Sequence, residues 1–191
     1  VSTPSRTHPV DPVSGLHAGA RQVASPNHDE RPAGCAIEVL VVHCISLPPG
    51  VFGGPEVEAL FCNRLDPAAH AYFRDIAHLR VSAHFFIRRD GELVQFVPLH
   101  RRAWHAGESR CLGRARVNDF SVGVELEGTE KSTFAEAQYR TLATLTDDLV
   151  AVCPGLSADR LYGHSDIAPG RKGDPGPGFD WARYRGLLTC R

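Results

Sequence analysis

The sequence has no methionine, no Cys-x-x-Cys pair and no His-Glu-x-x-His. Without paired cysteines there is no case for a thioredoxin-like site or a cysteine-based zinc finger. Without His-Glu-x-x-His, a thermolysin-type helical metal site is not indicated. No stretch approaches the ~18 consecutive apolar residues of a membrane helix. The net charge is -1, with no basic excess, which argues against a general polyanion binder and so against nucleic acid. The opening VSTPSRTHPVDPVSG lacks the apolar core of a signal peptide. With no methionine before Val1, that lack leaves export open, and the expectation adopted is a cytoplasmic protein that engages no membrane. Six cysteines in a chain of this length are expected to be free thiols rather than disulfides.

What is present is a globular composition, 42% hydrophobic and 23% charged. The length of 191 residues suits one domain, and neither a repeat nor a dividing linker is visible. Residues 1–20 read as a mobile lead-in, with His8 and His17 solvated, and residues 21–191 as the domain. Ile37 to Val42 is a short β-branched apolar run and reads as a buried strand ending at His43. A polar residue at such an end is either a site residue or a hydrogen-bonded core histidine. Pro55 to Arg64 reads as a short helix with Pro55 at its first position. Val81–Ile87 and Leu93–Val97 flank Asp90-Gly91, a hairpin signal. His84 lies in the first of these runs, under the sheet or in the site.

Residues 100–120 hold Trp104 and Arg116 in a polar stretch too long for a plain hairpin connection, a binding loop or a solvated one. In Ser121–Gly128, Val122, Val124 and Leu126 alternate with Gly123, Glu125 and Glu127, a half-buried strand whose polar face carries both glutamates. Thr133-x-x-Glu136 reads as a capping box opening a helix to about Val152, with Leu142, Leu145, Leu149 and Val152 as its apolar stripe. A short terminal helix is expected after an Asp180 cap.

The stretch with most chemistry is Tyr162–Trp181, YGHSDIAPGRKGDPGPGFDW. Glycine and proline restrict what such a loop can do, so it can hold His164, Asp166, Lys172 and Asp174 in place without regular structure. Catalytic zinc takes three protein ligands from histidine nitrogen, carboxylate oxygen or thiolate, and keeps one position for water. His43, His164 and Asp174 meet that description, although ten histidines offer many triples. Lys172 is either an oxyanion-stabilising cation beside the metal or a surface lysine. Glu125 is the best placed general base.

The stretches VVHCISLPPGVFGG, HLRVSAHFFIRRDGELVQFVP, RAWHAGES, NDFSVGVELEGT and GHSDIAPGRKGDPGPGFDWARYR, in that order, resemble the N-acetylmuramoyl-L-alanine amidases. These belong to the zinc amidase superfamily shared with peptidoglycan recognition proteins. The resemblance covers residues 20 to 188 and is strongest to the cytoplasmic Gram-negative branch. It implies an α/β fold, a central mixed sheet flanked by helices. It implies zinc held by His43, His164 and Asp174, with Glu125 as base and Lys172 as the cation. It implies hydrolysis of the amide between 1,6-anhydro-N-acetylmuramic acid and L-alanine in muropeptides, in peptidoglycan recycling, which also limits the signal for β-lactamase induction. Arg80, Trp104, Arg116 and Cys44 match substrate-contact positions, and no obligatory protein partner is implied. Cys44 stands where the family has Asn, Ser165 where Cys is common, and Gly173 where Thr is common. Two rival readings are a muropeptide-binding module without catalysis and an exported amidase acting on intact wall. A cysteine hydrolase at Cys44 is disfavoured, because the side chain after His43 points to the opposite face of a strand.

Overall fold

A computed structural model of the protein describes residues 9–190. Its strands are β1 (Arg21–Gln22), β2 (His28–Glu30), β3 (Val39–Ile45), β4 (Phe85–Ile87), β5 (Leu93–Gln95), β6 (Arg101–Ala103), β7 (Arg110–Cys111), β8 (Arg114–Ala115), β9 (Ser121–Glu127) and β10 (Leu161–Gly163). Its helices are α1 (Glu56–Phe61), α2 (Ala71–Ile76), α3 (Glu136–Val152), α4 (His164–Ile167) and α5 (Trp181–Leu187). Six strands form the central sheet in the order β1-β5-β4-β9-β3-β10. Only the β4–β5 hairpin is antiparallel, and β4, β9, β3 and β10 run parallel. The fold is therefore the expected mixed α/β sheet with flanking helices.

The period of two in β3 and β9 divides the core between the two faces of the sheet. Leu40, Val42, Val122, Val124 and Leu126 pack with Leu142, Leu145 and Leu149 of α3 and Tyr184 of α5. The alternate residues Val39 and Val41 pack on the other face with Ala106, Val117, Phe120 and Ile167. On that same face α1 and α2 sit at one side, with Val57, Leu60, Phe61 and Phe73 against Phe86 and Phe96. The second face thus has covered flanks, and the site lies along it. Arg31 ties the second face together. It donates to the carbonyls of Leu99, Asn118, Asp119 and Ser121, and its burial lowers its pKa to about 10.

Several boundaries differ from the sequence expectations. The strand expected over Ile37 to Val42 is β3, which runs to Ile45, so His43 is inside it rather than at its end. Pairing with Glu125 and its neighbours on β9 extends the strand past the apolar run. Pro55 caps α1 instead of opening it. The Thr133–Glu136 capping box does not form. The helix begins at Glu136 with Ala135 as its cap, and Gln138 Oε1 takes the Ala135 N–H at 3.0 Å. Gln138 also donates to the carbonyls of Ile87 and Glu127, so tertiary bonds displace the local cap by two positions. The Asp180 cap forms as expected, accepting from Arg183 N.

His17 is buried, not solvated. Its Nε2 lies 3.1 Å from Asp148 on α3, and its backbone N–H donates to Gln95 Oε1. Val10 is buried with it, so the lead-in packs onto the sheet over these residues. His8 lies outside the described residues. All six cysteines are free.

Candidate metal centre and active site

Three parallel strands deliver the site. His43 projects from β3 on the face opposite the α3 helix, and Glu125 is its register partner on β9. Strand β10 ends at Gly163, and the chain enters α4 at His164. Groups beyond the carboxyl ends of parallel strands are where open α/β sheets place ligands. The Gly/Pro-rich loop then returns Asp174 to His164. The Ser165 N–H donates to the Asp174 carbonyl at 2.9 Å, closing the loop on itself. Asp166 orients the loop entrance by accepting the Gly163 N–H at 2.7 Å. Gly163 must lack a side chain here, because a Cβ would stand 2.9 Å from Pro175 Cδ.

The result is a triangle of donor atoms. His43 Nδ1 lies 3.0 Å from His164 Nδ1, and each lies 3.1 Å from Asp174 Oδ2. All three residues are buried, and the trio is the metal-competent group among the described residues. The hydrogen bonding decides what the triangle can hold. His164 Nε2 faces the Ala106 carbonyl at 3.1 Å, closer than the Arg171 guanidinium at 3.4 Å. A carbonyl only accepts, so Nε2 carries the proton and Nδ1 presents a lone pair. Burial lowers the pKa of His43 to about 4, against the opposing pull of Asp174, so it is neutral at pH 7. Burial pushes Asp174 up, but the two imidazoles outweigh it and hold its carboxyl below the usual range. With the His43 proton on Nε2, two lone pairs and an anionic oxygen face one another, a donor set that suits a cation. Tetrahedral zinc with bonds of ~2.0–2.1 Å spaces its ligands by about 3.3–3.4 Å, close to the observed separations.

The triangle opens into a cavity of about 400 Å³, also lined by Glu125, Lys172, Trp104 and Glu130. Tyr72, Ile76 and Leu79 give it an apolar wall on one side. Glu125 Oε2 is buried without a hydrogen-bond partner. Burial raises the Glu125 pKa well above the usual value, Asp174 adds to the rise and Lys172 opposes it. Glu127, two residues on, has the opposite fate. Its carboxylate accepts from the backbone N–H groups of Gly53 and Arg89, so it is consumed by loop anchoring.

The other sequence candidates separate. Trp104 lines the cavity, with its indole N–H donating to Asp29 at 3.2 Å. Cys44 is at the cavity rim but packs against the α3-side core, and burial raises its thiol pKa. A raised thiol pKa removes the thiolate that a cysteine hydrolase needs. Arg80 is exposed next to the lining residues Leu79 and Val81 and is not itself in the lining. Arg116 is also outside it and pairs with Asp119 at 3.1 Å. His84 has the satisfied, structural role, its Nδ1 taking the Gly123 N–H at 3.1 Å.

Four residues escaped the sequence reading. Arg171 donates to the carbonyls of Ala106 and Glu108, bracing the loop that His164 leans on. Asn118 Oδ1 accepts from the backbone N–H groups of His105 and Ala106. His105 touches His43 at 2.9 Å. Glu130 sits over Gly173, where a Cβ would stand 2.6 Å from its Oε2. A side chain at Gly173 would have to displace the flexible end of Glu130. Of these four, His105, Asn118 and Arg171 lie within the stretches RAWHAGES, NDFSVGVELEGT and GHSDIAPGRKGDPGPGFDWARYR, and only Glu130 meets the site through the fold alone.

The family model for N-acetylmuramoyl-L-alanine amidase matches residues 33–177. A curated relative from Escherichia coli K12, 1,6-anhydro-N-acetylmuramyl-L-alanine amidase AmpD, is 57% identical over 175 residues, 92% of this chain and 95% of the relative. A crystal structure of a selenomethionine AmpD derivative superposes with a TM-score of 0.90 at 57% identity, covering 92% of this chain and 98% of that one. The amidase AmiD from E. coli, solved in complex with anhydro-N-acetylmuramic acid-L-Ala-D-γ-Glu-L-Lys as substrate, matches at 30% identity and a TM-score of 0.58. It covers 83% of this chain and 62% of that one.

Proposed function

The chain belongs to the N-acetylmuramoyl-L-alanine amidase family, and from that membership we propose a zinc-dependent amidase of peptidoglycan recycling. Its substrate is a muropeptide, and the bond cleaved joins 1,6-anhydro-N-acetylmuramic acid to L-alanine. The observation that carries the catalytic reading is the meeting of two features in one cavity. One is the His43–His164–Asp174 triangle, and the other is the unpartnered oxygen of Glu125. A module that only binds has no use for a buried, unsatisfied carboxylate beside a metal-competent trio, since such a group costs ~1–3 kcal/mol.

His43, His164 and Asp174 are the residues that hold zinc. Zinc in that position supplies Lewis-acid polarisation of the amide carbonyl. Glu125 accepts the proton of the attacking water and delivers it to the leaving L-alanine amine. Burial shifts its carboxyl pKa upward, the direction that strengthens it as a base. Lys172, at the cavity wall, steadies the negative charge that grows on the carbonyl oxygen. Trp104 and the apolar wall of Tyr72, Ile76 and Leu79 hold the sugar, and Arg80 lies where a stem-peptide carboxylate leaving the cavity can reach it. Arg116, already paired to Asp119, has the weaker claim to such a contact.

No helix among the described residues is long and apolar enough to cross a membrane. The working location is the cytoplasm, where cleavage removes the muropeptide that signals β-lactamase induction. The test is to incubate zinc-loaded protein with anhydro-muropeptide and, separately, with intact peptidoglycan, and to identify products by mass. Release of free stem peptide from the anhydro-muropeptide is expected. Cleavage of intact peptidoglycan alone moves the reading to an exported amidase, and cleavage of neither moves it to a binding module.

A further inference from the structure

We propose that His105, held by Ser121 and seated on Gly123, is a positioning residue that fixes the tautomer and ring orientation of His43 for metal binding. The inference rests on the metal reading of the His43–His164–Asp174 triangle. The distances form a chain: His43 Nε2 lies 2.9 Å from His105 Nδ1, and His105 Nε2 lies 3.0 Å from Ser121 Oγ. A histidine that ligates through Nδ1 carries its proton on Nε2. That proton needs an acceptor, and His105 Nδ1 is the only partner at hydrogen-bond distance from His43 Nε2 among the described residues. Its acceptor role sets the rest of the chain, because His105 then carries its own proton on Nε2 and donates it to Ser121 Oγ. The opposite polarity would put the His43 proton on Nδ1, inside the triangle, where it excludes a cation.

The rest of the fold holds His105 in that place. Its ring stands against Gly123 on β9, where a Cβ would lie 2.4 Å from His105 Cγ. Its backbone N–H is held by Asn118 Oδ1 at 3.2 Å. The ring planes of His43 and His105 cross at 82° with centroids 5.0 Å apart. Gly123 thus has a role in the site although no side chain of its own reaches it. Partners of this kind around a metal ligand typically contribute 10–100-fold to metal affinity.

The experiment measures the zinc dissociation constant by competition with a chelator, together with the melting temperature of the metal-free protein. His105→Phe is expected to weaken zinc binding ~10–100-fold. His105→Asn, whose amide oxygen can take the His43 proton, recovers most of that loss, which a purely steric role would not allow. Gly123→Ala, which changes no hydrogen-bonding group, weakens zinc by moving the His105 ring. Where His105→Phe does not fold, Ser121→Ala replaces it in the comparison with wild type. Wild-type affinity in folded His105→Phe, or in Ser121→Ala when that stands in for it, overturns the proposal, and so does His105→Asn binding no better than His105→Phe. If wild-type protein itself takes up no zinc, the metal reading fails and this inference fails with it, an outcome distinct from normal binding in wild type and variant alike.

Discussion

Two glutamates one turn of the pleat apart illustrate how little residue type alone decides. Glu125 and Glu127 share one face of β9, yet only Glu127 meets backbone donors, from Gly53 and Arg89. Glu125 keeps a buried oxygen free and a raised pKa. Their removal should therefore have opposite signatures. Glu125→Ala is expected to retain zinc and the fold while turnover falls about 10²–10⁴-fold, as read by product formation and metal content on one sample. Glu127→Ala is expected to cost about 1.5–3 kcal/mol for its lost charged hydrogen bonds, seen as a lower melting temperature with turnover retained in the folded fraction. Wild-type turnover in Glu125→Ala would remove the base assignment. Lys172→Ala belongs with Glu125: if Lys172 has the proposed oxyanion role, its loss is expected to cost ~10²–10³ in kcat with zinc retained.

Among the elements, α3 shows where local signals yield to tertiary ones. The Thr133-x-x-Glu136 pattern is a sound capping box by composition, but Gln138 wins the cap because it also reaches Ile87 and Glu127 on the sheet. A buried side chain that satisfies three backbone groups outweighs an exposed box worth ~1 kcal/mol. Gln138→Ala should thus destabilise by about 1–3 kcal/mol for each backbone group it strands in the core, while Glu136→Ala, in an exposed pair with Arg140, should stay within about 1 kcal/mol. Chemical denaturation of the two variants checks the contrast, and equal effects would refute it. The 164–174 loop obeys the same logic: its glycines and prolines limit its shapes, but the Ser165–Asp174 bond and the Arg171 brace select the one that brings His164 and Asp174 together.

For the whole molecule, buried histidines set the acid response. Burial holds His43 at about 4 and His84 and His105 well below the usual histidine value. In the unfolded chain these three take up protons as pH falls through ~6.5, while the folded metal-free protein does not. Glu125 acts in the opposite sense, since its raised pKa keeps a proton in the folded state that the unfolded chain loses above ~4.3. His28, also lowered by burial, adds to the histidine side, so the unfolded state holds the excess of protons, and stability present above pH ~6.5 is lost as pH falls toward ~4.5, at about 1.4 kcal/mol per net proton per pH unit. Melting curves of metal-free protein across that range should fall steadily with acid. A flat profile would mean that these histidines are not buried neutral. Zinc at 1,000 times its dissociation constant should add about 4 kcal/mol back at neutral pH, and a chelator should remove it.

The sequence was sufficient for whatever rests on pattern within a segment. The strands around His43 and Glu125, the hairpin at Asp90-Gly91 and the α3 stripe follow from periods of two and 3.6 and from turn residues, which are local properties of a chain. The trio His43, His164 and Asp174 was one triple among many by spacing and became a specific expectation only through long motifs in order. Tertiary structure alone decided which glutamate is free, that His17 is buried against Asp148, that α3 is capped at Ala135 through Gln138 rather than at Thr133, and that His105 stands behind His43. Each of those depends on a partner far away in the chain. A side chain's role as ligand, base or anchor is set by which groups the fold leaves it to face, and no periodicity within a segment records that.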